Sequence, residues 1–387
     1  AGAELERDRR VAGGANDGSS WANAYTNLKT AIAASSSGTD LWIAQGIYRP
    51  GTTSADTFTM KAGVNLYGGF TNGMASLAER DWMHYRTILS GDVGVPGDSS
   101  DNSYHILTAV GNEILDGLTF EDGNASVNDA NPNGIGSAII QTAGTGARIL
   151  NCLFARNQSK GSANADGTIY TSRASTLVSN CVFLANNADY AIVFFNVNSC
   201  SVINSLFLKN SFNGTSAYVV NTPSGQNGTW VDRCTFVGNQ GRPVGKYHNG
   251  FTSIRGCIFW DNVNNTLDSA RYRVSYSDIQ GCGASTNWLL TAVDDGGNLD
   301  VDPKFVAGPT GTWSQAAVYD AALDQTFYTT ADAEPALTEN SLNGKFLTPA
   351  WDSQSAFYIV SNSATRIAAY GNGADLGTAG AVFRVFD

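Results

Sequence analysis

Charge is what this chain of 387 residues has least of. Asp, Glu, Lys and Arg together make up 15% of it, and the balance is acidic, with a formal net charge of −11. Such a surface repels phosphate backbones and anionic headgroups, which argues against nucleic acid or an anionic membrane as partner. No stretch approaches the roughly 20 apolar residues of a membrane span. The six cysteines include no Cys-x-x-Cys pair, and the three histidines, His84, His105 and His248, are scattered, so metal-finger spacing is absent. What abounds instead is Gly, Asn, Ser and Thr, the vocabulary of many turns and of surfaces that are polar without being ionic.

One seven-residue phrase recurs six times: Gly117-Leu-Thr-Phe-Glu-Asp-Gly123, Asn151-Cys-Leu-Phe-Ala-Arg-Asn157, Asn180-Cys-Val-Phe-Leu-Ala-Asn186, Asn204-Ser-Leu-Phe-Leu-Lys-Asn210, Arg233-Cys-Thr-Phe-Val-Gly-Asn239 and Gly256-Cys-Ile-Phe-Trp-Asp-Asn262. Its phenylalanines lie 23 to 34 residues apart, too irregular for a helical array but natural for a solenoid whose turns tolerate insertions. The second and fourth positions are small or apolar and share one face of a strand, which makes that face the core. The third position is mostly apolar too, as in compact parallel sheets. Five residues before each Phe comes a further apolar stack: Leu115, Ile149, Val178, Val202, Val231 and Ile254. Each phrase is thus one rung of a parallel β-helix. Three residues after the Phe, Asn157, Asn186, Asn210, Asn239 and Asn262 recur where the strand should end. They predict an asparagine ladder at a corner with left-handed backbone angles.

Cys152, Cys181, Cys234 and Cys257 occupy equivalent places, with Ser205 filling the gap. Rungs stack at about 4.8 Å, but parallel side-chain vectors rarely meet the disulfide dihedral, so mostly buried free thiols are expected, Cys200 and Cys282 being the less defined. Leu41 to Tyr48 and Val64 to Phe70 read as earlier rungs, Arg273 to Ile279 as a later one. Three segments follow: 1–36, an N-terminal segment and capping helix; 37–300, the coil; 301–387, a β-rich module that ends the solenoid. Trp21, Tyr25, Leu28 and Ile32 have helical spacing, with Ser19 or Ser20 as N-cap. Gln325–Thr330, Lys345–Thr348, Ser355–Val360 and Thr365–Tyr370 read as short strands. The final Ala381 to Phe386 has strand character and would pair with its own module or with another subunit. The start at Ala1 without Met fits a mature secreted protein. The charged Glu4 to Arg10 segment would be held by the chain's own first rung or by a neighbouring subunit.

The order of helix, Gly38 to Tyr48, Val64 to Phe70 and Arg86-Thr-Ile-Leu-Ser-Gly-Asp92 resembles the entry to secreted right-handed β-helix proteins of the pectate-lyase-like superfamily. Gly18 to Tyr25, Tyr67-Gly-Gly-Phe70, Asp101 to His105, Asn298 to Phe305 and the repeat are similar to bacterial surface proteins of the parallel β-helix repeat, or polymorphic-outer-membrane-protein-like, type. The resemblance implies an all-β right-handed solenoid on a bacterial surface or in an extracellular matrix, with no assigned catalysis. The chain departs from the usual opening, in which an extended strand precedes Gly18 to Trp21.

A β-helix that cuts carbohydrate needs an outward constellation, either two carboxylates or a basic residue beside calcium. The residue two after each Phe (Asp122, Arg156, Ala185, Lys209, Gly238, Asp261) mixes signs, as a solvated face does. The best cluster is Arg242, Lys246, His248 and Arg255 beside Asp232 and Asp261, on adjacent turns; its catalytic candidates are Asp232, Lys246, His248 and Asp261, against the reading of ordinary charged loops. Two loops carry enough oxygens for calcium, Asp92, Asp98, Asp101 and Asn102, and Asp294, Asp295, Asn298, Asp300 and Asp302, although turn capping and solvation are the favoured reading of both. No other cofactor is implied. The leading expectation is a secreted, non-enzymatic structural or adhesive protein, self-assembling head-to-tail into filaments. The alternatives are a polysaccharide lyase or glycoside hydrolase, and a glycan-binding adhesin using exposed tryptophans.

Overall fold

The computed structural model describes residues 2–3, 14–125, 132–160, 166–197, 199–214, 217–222, 228–246, 251–305, 308–351, 353 and 355–386. The chain divides into two compact units, Ala1–Gly94 with Ser99–Pro303, and Val95–Asp98 with Lys304–Asp387.

The first unit is a parallel β-helix. Its first sheet has eleven strands, in order Gly2–Ala3, Asp40–Ala44, Asn65–Phe70, Ile114–Asp116, Arg148–Leu150, Leu177–Ser179, Ser201–Ile203, Thr229–Asp232, Thr252–Arg255, Tyr272–Ser275 and Val293–Asp294. A nine-stranded sheet, here the Phe sheet, runs from Gly46–Tyr48 through Leu153–Ala155 and Val182–Leu184 to Asp278–Ile279. A third, of seven strands, runs from Phe58–Thr59 through Ile169–Thr171, Ala191–Phe195 and Tyr218–Thr222 to Arg242–Lys246. Phenylalanine stands on phenylalanine in register down the Phe sheet. Phe154, Phe183, Phe207 and Phe236 stack with centroids 4.6 to 4.7 Å apart, all fully buried. Each such ring contributes about 1.5–3 kcal/mol through its lost apolar surface. The Leu115, Ile149, Val178, Val202, Val231 and Ile254 stack lines the opposite side of the same core at 1% exposure or less.

The asparagine ladder is present, and its corner lies elsewhere than expected. Asn157, Asn186, Asn210 and Asn239 are fully buried. Each donates Nδ2 both to the Oδ1 of the next asparagine, at 2.9 to 3.0 Å, and to the carbonyl of the Phe one rung earlier. Each backbone N–H also donates to the next Oδ1. The left-handed angles belong instead to the residue before the ladder (Asp122, Arg156, Ala185, Lys209, Asp261, and Gly238) and to the first residue of the phrase (Asn151, Asn180, Asn204, Arg233, and Gly256). The reason is geometric: the two kinks that bend the chain flank the strand, and the second turns the following side chain inward. An asparagine there finds buried carbonyls to satisfy rather than a strained backbone to relieve.

All six cysteines are free and buried. Ser205 does more than fill a gap in their stack, because Cys181 N donates to its Oγ at 3.2 Å; Cys257 N donates likewise to Ser277 Oγ, and Ser277 N to Asn298 Oδ1. The α-helix is Leu28–Ala34, capped by Asn27, whose side chain accepts from Thr30 N at 3.1 Å. Ser20 instead precedes a separate 3-10 turn, Trp21–Asn23, and makes no side-chain cap. That turn is tied down locally, with Asn23 O accepting from Asp17 N and Gly18 N and Asn16 Oδ1 from Thr26 N. The helix buries Leu28, Ala31 and Ile32 in the coil's core cluster. Gly2–Ala3 pairs with Trp42–Ile43 of its own chain, while Glu4 to Arg10 lies outside the described residues.

The second unit holds a seven-stranded sheet ordered Thr310–Thr312, Val382–Phe386, Phe346–Thr348, Phe357–Asn362, Arg366–Tyr370, Gln325–Thr329 and Val318–Asp320, antiparallel at every pairing. Trp313 anchors its core, stacking on Phe383 at 4.1 Å and donating Nε1 to Pro349 O at 2.7 Å. The last strand is paired on both edges inside its own module, so a head-to-tail contact has no free edge of that strand to use.

Candidate functional site

Strand alternation decides which side chains of the first sheet leave the core. Val202, Val231, Ile254 and Val274 point in and are fully buried. Their neighbours on either side point out. In register, one outward row reads Leu177, Ser201, Trp230, Ser253, Arg273, and the next reads Ser179, Ile203, Asp232, Arg255, Ser275. At the adjoining left-handed corner stand Asn180, Asn204, Arg233 and Tyr276.

Trp230 is the centre of this face, 47% exposed between two serines. Its register neighbours one rung away on both sides are small. Gly228, two residues earlier, lies against the indole, where a methyl group would approach the six-membered ring to 3.3 Å. Tyr276 is 68% exposed, with the Arg255 guanidinium 5.8 Å from its ring centre. Asp232 pairs with Arg233 at 3.2 Å, Arg273 holds Asp295 through two contacts, and Arg233 Nε donates to Asn204 Oδ1 at 2.7 Å. Asn180 Nδ2 donates to Asn151 Oδ1, continuing an exposed counterpart of the buried ladder. The face therefore offers an aromatic platform ringed by hydroxyls, amides and paired charges on successive rungs. Such a surface can stack the apolar side of a sugar ring and hydrogen-bond its hydroxyls.

The candidates read from sequence divide among several faces. Asp232 and Arg255 are register partners on the face just described. Asp261 sits in the corner beyond the Phe sheet at φ 52°, its N–H donating to Gln280 Oε1. Arg242 opens a strand of the third sheet and pairs with Asp268, and Lys246 closes that strand. His248 lies outside the described residues. Position along the chain places Asp232, Arg242 and Asp261 on neighbouring turns, but they stand on the first sheet, on the third sheet and in the corner beyond the Phe sheet. The contributions of Ser201, Ser253 and Tyr276 escape a sequence reading, since serine and tyrosine carry no signal until strand register gathers them. The weak signal available is their place: one residue before an inward Val or Ile, or at the first position of the phrase.

The acidic loops are largely engaged internally. Asp294 Oδ1 accepts from Ser285 Oγ, Gly296 N and Asn298 Nδ2, and Asp300 caps Gly281 N and Gly283 N. Asp295 holds Arg273, and Asp302 also has a partner. Asp92 faces Arg49, Asp101 also has a partner, and Asn102 Nδ2 donates to Asp122 O; Asp98 belongs to the second unit. Among the described residues no group of three or more His, Cys, Asp or Glu side chains could hold a metal ion. Asp166, unremarked in the sequence, is fully buried and accepts from the backbone N–H of Asp189, Tyr190 and Ala191 at 2.7 to 3.0 Å. Desolvation pushes it up to about 7 against the pull of those donors. With both oxygens in backbone bonds it fastens one turn to the next.

No protein-family model matches the chain, and no curated protein matches it. Similar solved structures include a pectin methylesterase in complex with a hexasaccharide, 12% identical over 76% of this chain and 93% of that one, with a TM-score of 0.42. A pectate lyase is 14% identical over 78% of each chain, also at 0.42. A tailspike protein of the Acinetobacter baumannii bacteriophage Fri1, a capsular polysaccharide depolymerase, is 12% identical over 89% of this chain and 79% of that one, at 0.34.

Proposed function

We propose that the protein is a secreted, non-enzymatic structural or adhesive element of a bacterial surface or extracellular matrix, and that it holds an extracellular polysaccharide along the outer face of its first sheet. The observation that carries this reading is Trp230, an exposed indole between Ser201 and Ser253 on a regular sheet. An aromatic so placed adds little to the fold, and its exposed surface suits a sugar ring. Binding without cleavage is supported by the state of Asp232 on this face and of Asp295 beside it. Asp232 and Asp295 are both in arginine ion pairs, whereas acid–base cleavage calls for one carboxyl held protonated and another free to act.

The test is a glycan array with the intact protein, followed by titration of any binder against Trp230→Ala and Ser201→Trp. Either substitution should weaken binding at least tenfold with the fold unchanged by circular dichroism. The same glycans are assayed for new reducing ends and for ultraviolet absorbance of unsaturated products. Binding indifferent to both substitutions would refute the site, and turnover lost in Asp232→Ala would replace the adhesive reading with an enzymatic one.

A further inference from the structure

Where the 90–103 loop meets the turn after Glu121, three buried side-chain oxygens have no hydrogen-bond partner among the described residues: Asn102 Oδ1, Ser103 Oγ and Asn124 Oδ1. Their residues are 6%, 0% and 7% exposed. The amides are oriented by their other ends, since Asn102 Nδ2 donates to Asp122 O and Asn124 Nδ2 to Ser99 O, both at 2.7 Å. Turning either amide over would set oxygen against oxygen, so the orphaned atoms are carbonyls. One corner holds all three. Asn102 and Ser103 are consecutive, and Asn124 N donates to Ser103 O at 2.8 Å. Ser103 N in turn donates to Gly91 O, which brings in the next residue, Asp92, 5% exposed.

We propose that this corner binds one divalent cation of the calcium type, with Asn102 Oδ1, Asn124 Oδ1 and Ser103 Oγ among its ligands and Asp92 supplying negative charge. Unpaired buried carbonyls cost free energy until something positive meets them. Calcium takes 6–8 oxygens, amide carbonyls included, at about 2.3–2.6 Å, and tolerates irregular geometry. The competing occupant is a water that donates to the two amide carbonyls and accepts from Ser103 Oγ–H, and a response to calcium separates the two. Arg49, whose Nε donates to Asp92 O at 2.5 Å and whose Nη2 lies 3.5 Å from Asp92 Oδ2, shares the Asp92 charge and sets the affinity at the weak end. Of the acidic loop read from sequence the site keeps Asp92 and Asn102 and adds Ser103 and Asn124. It stands apart from the glycan-binding face and does not rest on it.

The experiment is calorimetric titration of chelator-treated, full-length protein with calcium chloride, beside thermal unfolding in calcium, magnesium and sodium chlorides. One ion per chain should bind, with a saturable rise in Tm in calcium. Ser103→Ala breaks no described side-chain hydrogen bond, so it should fold, and it should weaken calcium binding at least threefold; Asn102→Ala should weaken it further. An absence of heat and of any Tm response to calcium would overturn the proposal. So would a Ser103→Ala variant that is more stable than the parent and binds calcium unchanged, because the oxygen would then be a buried defect and not a ligand.

Discussion

Removing one rung of the buried ladder, as in Asn186→Ala, should destabilise the coil far beyond the size of the side chain. Its Oδ1 accepts from both Asn157 N and Asn157 Nδ2 at 3.0 Å; its Nδ2 donates to Phe154 O at 2.9 Å and to Asn210 Oδ1 at 3.0 Å. Alanine removes all four contacts and leaves the Asn157 N–H without its acceptor in a dry corner. An orphaned buried donor costs about 1–3 kcal/mol, and the lost bonds add roughly 1 more, giving about 3 kcal/mol in total. Asn186→Asp should be worse, because an acceptor would then face Phe154 O and Asn210 Oδ1 with a charge buried between them. Asn180→Gly is the control: its Nδ2 donates to Asn151 Oδ1 on the exposed side and glycine accepts the left-handed angle held there, so the change should cost about 0.5 kcal/mol or less. Urea unfolding followed by circular dichroism gives the three values. Because solenoid rungs couple mainly to their neighbours, amide exchange at Asn157 should accelerate more in Asn186→Ala than exchange several rungs away. An aspartate tolerated better than alanine, or an alanine costing no more than the Asn180 control, would refute the assignment of strength to the buried ladder.

Phe183→Ala opens a cavity between Phe154 and Phe207, whose rings lie 4.7 and 4.6 Å from it, and should cost about 3–5 kcal/mol by thermal or denaturant unfolding. All six thiols should resist a chromogenic disulfide reagent in the native protein and react after unfolding; burial raises Cys152 and Cys234 well above the ordinary thiol range and Cys200 to about 11. Fast labelling of the folded chain would contradict the stack. Asp166, raised from its unfolded value near 4 to about 7, binds its proton more tightly in the folded state. Its stabilising contribution is therefore complete below pH 4 and is lost as pH rises through about 7. The difference in stability between wild type and Asp166→Asn should shrink across that window, and a gap that widens would reverse the assigned shift.

Much of the coil was legible before any coordinates. The Phe, Cys and Asn phrase announced parallel rungs, the residues five before Phe announced the facing stack, and both lie in register as read. Helix capping was less legible, because Ser20 and Asn27 are both good capping residues and only the local turn through Asn16 and Asn23 selects between them. The ladder asparagines were legible as a stack but not as inward-facing groups, since a left-handed corner and a buried amide draw on the same residue type.

The candidate site was legible only in fragments. Asp232 and Arg255 could be named from the sequence, but their company with Ser201, Trp230, Ser253 and Tyr276 depends on strand register. Likewise the orphaned oxygens of Asn102, Ser103 and Asn124 come together across a rung, at separations along the chain that no motif marks. The sequence by itself determined the repeat, because each rung writes the same apolar period and every copy faces the same core. Only the tertiary structure decided which polar residues share a face, because that depends on bends and insertions between rungs, which differ from turn to turn and leave no periodic trace.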